Sequence, residues 1–287
     1  MFIPTSGRSK KFLPFALGGG FLSQAGSFGR DLHGKVAIVT GGSQGLGEAI
    51  AREFAERGAR GLLLTGRNVA RGEAVAESLR AGGCDARFHQ VDLADLEAVR
   101  QVVPAAEQAF GHLDILVNAA GDTDRGTIFD TSPVLYERIM AVNLRAPFFL
   151  IQDAADLMRR QDVPGAVVNI QSMSAHGGQP FLSAYSVSKA ALAALTKNAA
   201  YGLLKHRIRV NGLNIGWMAT PGEDAIMKLR HDAQDGWLDE ANASQPFGRL
   251  IDPREVAKAV AYLASAESGL MTGSNIDFDQ TILGAHD

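Results

Sequence analysis

The feature that most constrains the fold of this chain is the run KVAIVTGGSQGLG at residues 35–47. An apolar segment of strand length, residues 35–40, leads straight into a turn holding Gly41, Gly42, Gly45 and Gly47. A helix-period stretch over 46–57 follows, with Ile50 and Phe54 on one face. A strand apolar throughout has both faces covered, which is the situation inside a sheet sandwiched between helices.

The same alternation continues down the chain. Further strands are expected at 61–65, 86–91, 113–118, 166–171, 209–213 and 275–277. Helices are expected at 69–81, 95–110, 133–160, 184–205 and 253–264, with a less regular helical stretch over 221–245. Strands alternating with helices specify an α/β fold built on one doubly wound parallel sheet. No linker or internal repeat divides it, so residues 31–287 are expected to form one domain. Residues 1–30 stand apart: they hold Arg8, Lys10, Lys11 and Arg30, no acid, and three successive glycines from Gly18 to Gly20. They read as a flexible extension or an upstream start, with a targeting segment as the alternative.

Charge and composition narrow the partners. The net charge is -3 and basic residues are scattered, so neither a nucleic acid nor an anionic membrane is expected to bind. No apolar run is long enough to span a bilayer. The single cysteine, Cys84, forms no internal disulfide and fits a reducing compartment, so a cytoplasmic location is expected. With one cysteine and no ligand spacing among the seven histidines, no metal site is expected.

The glycine turn has a chemical reading. The spacing TGxxxGxG between a strand and a helix lets the backbone turn tightly and approach a pyrophosphate with no Cβ in the way. The helix N-terminus then offers free N–H groups and partial positive charge to the phosphates. Gly66-Arg67 follows the second strand, about 20 residues beyond the last glycine. An NAD-selective site usually has an acid there; Gly66 has none, and Arg67 is able to pair with a 2′-phosphate. The expected cofactor is therefore NADP, with NAD as the alternative, and the absence of a basic residue at Gln44 tempers the preference.

With these motifs the chain resembles the short-chain dehydrogenase/reductase family over about residues 34–278. The resemblance rests on the TGxxxGxG turn, Asp92 after the third strand, and Asn118-Ala119-Ala120-Gly121 after the fourth. It rests further on Asn143, Ser172 and Tyr185-xxx-Lys189. It implies a Rossmann fold and an oxidoreductase exchanging hydride between NADP(H) or NAD(H) and a secondary alcohol or ketone. Cofactor contacts are implied for Gly41, Ser43, Gln44, Gly45, Leu46 and Gly47, for Arg67, Asp92 and Leu93, and for Asn118, Ala119 and Gly121. Gly216 and Thr220 are implied on the nicotinamide side, with Tyr185 and Lys189 shared with catalysis.

The chemistry is also legible from the residues. Tyrosine, with a reference pKa near 10, becomes a competent acid/base at neutral pH when positive charge favours its phenolate. Lys189, four residues on in the same helix, shares its face. The resemblance assigns Tyr185 the proton exchange with substrate oxygen, Ser172 the positioning of that oxygen, and Lys189 the lowering of the tyrosine pKa. It assigns Asn143 a water in a proton relay. Ser174 is a rival for the serine role, but its spacing to Tyr185 is 11 rather than 13.

Two departures stand out. Where the family usually has Pro-Gly, this chain has Ile215-Gly216, and where relatives have Gly-Gly after the last strand it reads Asp277-Phe278-Asp279-Gln280, expected to alter a subunit contact. Asp122, Thr123, His176, Gln179 and Trp217 are candidate substrate residues, and their polarity points toward a sugar or polyol. A non-enzymatic NADP-binding regulator on the same fold is the reading from another class; an enoyl reductase is the enzymatic rival. A homotetramer is expected, packed through the helices at 133–160 and 184–205.

Overall fold

The computed structural model describes residues 31–284. The expectation for residues 1–30 lies outside the described residues. Seven strands form one sheet: β1 (Val36–Thr40), β2 (Gly61–Gly66), β3 (Asp85–Gln90), β4 (Ile115–Asn118), β5 (Gly165–Ser172), β6 (Ile208–Ile215) and β7 (Asn275–Phe278). Their order is β3-β2-β1-β4-β5-β6-β7 and every pairing is parallel.

Helices α1 (Gly45–Glu56), α2 (Val69–Ala81), α3 (Leu96–Val99), α4 (Val102–Phe110), α5 (Pro133–Met140) and α6 (Ala146–Arg160) occupy the connections as far as β5. After it come α7 (Ser183–Leu203), α8 (Pro221–Arg230), α9 (Trp237–Ala243) and α10 (Pro253–Ala264). Alternate residues of β1 serve two cores. Ala37 and Val39 pack on one face with Ile50 and Phe54 of α1 and Val256 and Val260 of α10. Val36 and Ile38 pack on the other with Val103 of α4 and Leu150, Ala154 and Leu157 of α6. Cys84 is part of the first core, and burial pushes its thiol up to about 11, which suits a packing residue rather than a nucleophile.

Three expected elements differ in detail. The helix expected over 95–110 is two: Pro104 lacks an N–H and its ring crowds the carbonyl four residues back, so it is accommodated in the first turn of a new helix, α4. The irregular stretch at 221–245 resolves into α8 and α9, separated by Asp232 and Gly236 at positive φ. The helix over 133–160 is continuous, but residues 141–145 form a π-helical turn between α5 and α6. Asn143 sits in that turn, a type of helix irregularity found frequently at functional sites.

Candidate active site

The sheet order reverses between β1 and β4, and a crevice opens outside the carboxyl ends of these two strands. It is part of a cleft of about 1160 Å³ that runs from the glycine turn to Tyr185 and on to α8. Thr40 shapes the crevice floor: its hydroxyl accepts from the Ala119 and Ala120 amides at 3.0 and 3.1 Å and so ties the loop after β4 to the end of β1.

The turn itself requires glycine. Gly41 has a φ of +71°, and a Cβ on Gly47 would lie 2.3 Å from the Gly41 carbonyl oxygen. Gln44 takes the N-cap position of α1 but its side chain makes no capping bond, whereas Asn68 and Asp252 cap α2 and α10. The first-turn amides of α1 are thus left without a side-chain acceptor, at the point where the backbone is bare of Cβ atoms. This arrangement fits a pyrophosphate.

Most residues expected around a dinucleotide line this cleft. Ser43, Gln44, Gly45, Leu46 and Gly47 do so at the turn, Arg67, Asp92 and Leu93 at the ends of β2 and β3, and Ala119 and Gly121 after β4. Gly216 and Thr220 line the facing wall. Asn118 does not; it is buried and donates to Asn169 at 2.8 Å, bracing β4 against β5 beneath the crevice. Arg67 has no carboxylate partner among the described residues. A second guanidinium, Arg71 in the first turn of α2, donates to the Gln44 side chain. Arg71 was missed in the sequence, where nothing separates it from the other charged residues of its helix.

Tyr185, Ser172 and Lys189 meet in the middle of the cleft. Ser172 ends β5, and Tyr185 stands in the first turn of α7, with Lys189 one turn later. All three are buried to at least nine-tenths. Burial raises the Tyr185 phenol above its ordinary value; a hydrogen bond with Ser172 and the charge of Arg125 pull it back, and Glu223 pushes it further up. Lys189 donates to the Ile170 carbonyl at 2.8 Å, and its Nζ lies 5.6 Å from the centroid of the Tyr185 ring. Burial lowers its ammonium to about 8. On balance the phenol stays above its ordinary value, with Ser172 and Arg125 as the groups that oppose the rise.

Asn143 ties two of the site's segments together. Its amide accepts from the Asp122 N–H at 2.8 Å and donates to the Asp122 carbonyl at 2.9 Å and to the Ser188 hydroxyl at 3.0 Å. Ser188 in turn donates to the Tyr185 carbonyl at 2.7 Å. The side chain clamps the loop after β4 to the helix that carries the tyrosine. Ser188 was missed in the sequence, although its place three residues after Tyr185 is a signal that it shares the same helix face.

Ser174 stands beside Ser172, exchanging contacts with it at 3.1 Å through both hydroxyl and backbone, and donates to Gln179. Of the substrate candidates, Asp122, Thr123, Gln179 and Trp217 line the cleft. His176 is not among the lining residues; its Nε2 lies 3.0 Å from the Asp277 carboxylate, which also accepts from Asn214 at 2.7 Å. The altered segment after β7 lies against the turn after β6. A Cβ on Gly216 would fall 1.7 Å from Asp279 Oδ1, so the Asp279 carboxylate occupies the space over Gly216 and joins the cleft wall.

Ion pairs tie the loop after β4 to α5 and α8. Arg138 bridges Asp122 and Asp124 at 2.7 Å each, and Arg230 of α8 reaches Asp124 at 2.8 Å. Burial pushes the Asp124 carboxyl up, but hydrogen bonds from Arg230, Arg138 and the Arg125 backbone more than reverse it, leaving it below its ordinary value.

A family model described as enoyl-(acyl carrier protein) reductase matches residues 41–281. The NADP-dependent (R)-specific alcohol dehydrogenase of Lentilactobacillus kefiri is 34% identical over 86% of this chain and 96% of its own. The galactitol 2-dehydrogenase of Agrobacterium fabrum is 31% identical over 86% of this chain and 97% of its own. A solved short-chain type dehydrogenase/reductase from Mycobacterium marinum superposes with a TM-score of 0.80 at 31% identity, covering 89% of this chain and 98% of that one. With the parallel sheet, the glycine turn and the Ser172–Tyr185–Lys189 grouping, these likenesses place the chain in the short-chain dehydrogenase/reductase family of oxidoreductases.

Proposed function

We propose that the chain is an NADP-dependent dehydrogenase/reductase that interconverts a secondary alcohol and a ketone, with Tyr185 as acid/base. The observation that carries this reading is the meeting of Tyr185, Ser172 and Lys189 in one cleft with the glycine turn. When bound, the nicotinamide supplies or accepts the hydride. The protein's own part is positioning and proton transfer. Gly41, Gly45, Gly47 and the uncapped start of α1 receive the pyrophosphate. Lys189, fixed by the Ile170 carbonyl, offers its remaining N–H groups to the cofactor ribose. Ser172 and Tyr185 bracket the substrate oxygen, Ser172 holding it and Tyr185 exchanging its proton.

The raised phenol pKa sets the direction of the pH dependence. A protonated Tyr185 is poised to donate to a carbonyl oxygen at neutral pH, so reduction runs there and fades as pH rises through the tyrosine pKa. Alcohol oxidation needs the phenolate and grows in the same interval. NADP over NAD is supported by the unpaired Arg67, the missing carboxylate at Gly66 and the nearby Arg71. The name of the Lentilactobacillus relative agrees with it.

The test is a screen of purified parent and Tyr185→Phe proteins on alcohols, polyols, ketones and a 2-enoyl thioester, following nicotinamide absorbance with both cofactors. The parent is expected to turn over alcohols and ketones. Tyr185→Phe is expected to lose about 10²–10⁴-fold in kcat with cofactor affinity nearly unchanged, since only the exchangeable proton is removed. Retention of more than about a tenth of parental activity sinks the acid/base assignment. Turnover of the enoyl thioester alone sinks the reaction class.

A further inference from the structure

The cleft extends past Tyr185 to a charged pair, Arg125 and Glu223, whose charges bear on the Tyr185 phenol from beyond the Ser172–Tyr185–Lys189 group. Both line the cleft and both are largely buried, with side chains 14% and 17% exposed. Their position is fixed from both walls. Gly126 joins the loop after β4 to the approach of α7: its N–H donates to the Phe181 carbonyl at 3.0 Å, and its own carbonyl accepts from Ser183 at 3.0 Å. This holds Arg125 beside the turn that carries Tyr185. Glu223, from the first turn of α8, is held by the Trp217 indole N–H at 2.9 Å.

The pair is left partly open to a ligand. Arg125 donates through Nη1 to the Thr123 carbonyl at 2.6 Å, through Nε to His231 at 3.2 Å, and through Nη2 to Glu223 at 3.4 Å. A guanidinium has five donors, so two N–H groups remain. On Glu223, both Trp217 and Arg125 fall on Oε1, which leaves Oε2 without a partner among the described residues. The contact between the two charges is single and long rather than bidentate, so a third group enters at little cost to it.

We infer that Arg125 and Glu223 are a recognition pair for a second hydroxyl of the substrate, so that the cleft selects a polyhydroxylated alcohol over a simple one. The inference rests on the alcohol dehydrogenase reading and names its substrate class. A hydroxyl accepts and donates at once, and so serves Arg125 and Glu223 together. An alkyl group in the same place would shut two charges away from water with nothing in return. A substrate carboxylate would meet Arg125 but face Glu223, with Asp122 and Asp124 already holding the neighbouring guanidiniums of Arg138 and Arg230.

The experiment compares xylitol, galactitol and butane-2,3-diol with 2-butanol and 3-hydroxybutyrate, using the parent, Arg125→Gln and Glu223→Gln. The parent is expected to give a kcat/KM on at least one polyol about tenfold or more above that on 2-butanol. In each variant that ratio falls about 10- to 100-fold, carried by KM for the polyol. Glu223→Gln is nearly isosteric and retains an acceptor for Trp217, so it carries the test should Arg125→Gln fail to fold; melting temperature and NADPH binding report on that. A parent that prefers 2-butanol or 3-hydroxybutyrate overturns the inference while leaving the reaction class standing. So does a polyol preference unchanged in both variants. Turnover of none of the five compounds overturns the reaction class along with it.

Discussion

At the scale of single residues, cofactor choice rests on very few atoms. Gly66 ends β2 with no side chain, and Arg67 follows it into the cleft. Replacing Arg67 by alanine should remove a charge-assisted contact of about 1.5–3 kcal/mol, or about 10- to 150-fold in NADP affinity, with little effect on NAD. An aspartate at Gly66 offers an acceptor to a free ribose hydroxyl and repels a phosphate. Its Cβ would come 3.0 Å from the Ser43 hydroxyl, a side chain free to swing aside. Titrating both cofactors into parent, Arg67→Ala and Gly66→Asp should show NADP preferred by the first and a shift toward NAD in the others. A parent that binds NAD more tightly, with no response to Arg67→Ala, reduces Arg67 to a solvated helix-start residue.

At the scale of elements, α7 carries a stability cost in its first two turns. Burial lowers the Lys189 ammonium from an ordinary 10.5 to about 8. Between those values the unfolded chain holds a proton that the folded chain has released, so the folded state gains stability as pH rises through this window. Below it, the charged lysine costs on the order of 3 kcal/mol. Denaturant titration of the cofactor-free protein at pH 7 and pH 9.5 should find the parent gaining on Lys189→Met as pH rises. Equal pH slopes for the two proteins would show that the ammonium is not desolvated. What was legible in the sequence follows the same division. Apolar runs and glycine turns are local signals, and every expected strand and most helices are present. The π turn at Asn143 and the Asn143–Ser188–Tyr185 chain are not local: they arise where three segments meet, and no periodicity records them. The pairing of Arg125 with Glu223 spans 98 residues and left no pattern at all.

At the scale of the whole molecule, the question is which faces of α6 and α7 are free to meet another copy. On α7 the apolar stripe Leu192, Leu195, Ala199 and Leu203 turns inward: Leu192 is buried, and the other three pack on the core shared with α6. A helix pressed on a sheet and against a neighbour has two apolar faces, and spacing alone does not say which is which. On these two long helical stretches the exposed large apolar residues are Val134 and Tyr136 on α5, Phe148 on α6 and Val187 and Tyr201 on α7, with Leu204 just after it. Symmetric closure of such faces is expected to give a homotetramer, which light scattering would read as a mass about four times the 30.4 kDa of one chain. A monomeric mass at micromolar concentration overturns this.

The carboxylate of Asp279 lying over Gly216 has a consequence in time as well as space. The phosphate turn and the tyrosine helix are both synthesised before the wall formed by Asp279, Thr281 and Leu283, which follows β7 in the chain. A nascent chain stopping short of residue 279 can therefore complete its sheet and still present an unfinished site. A chain ending at residue 278 is expected to keep its sheet and to bind substrate more weakly, which ligand titration against the full chain checks.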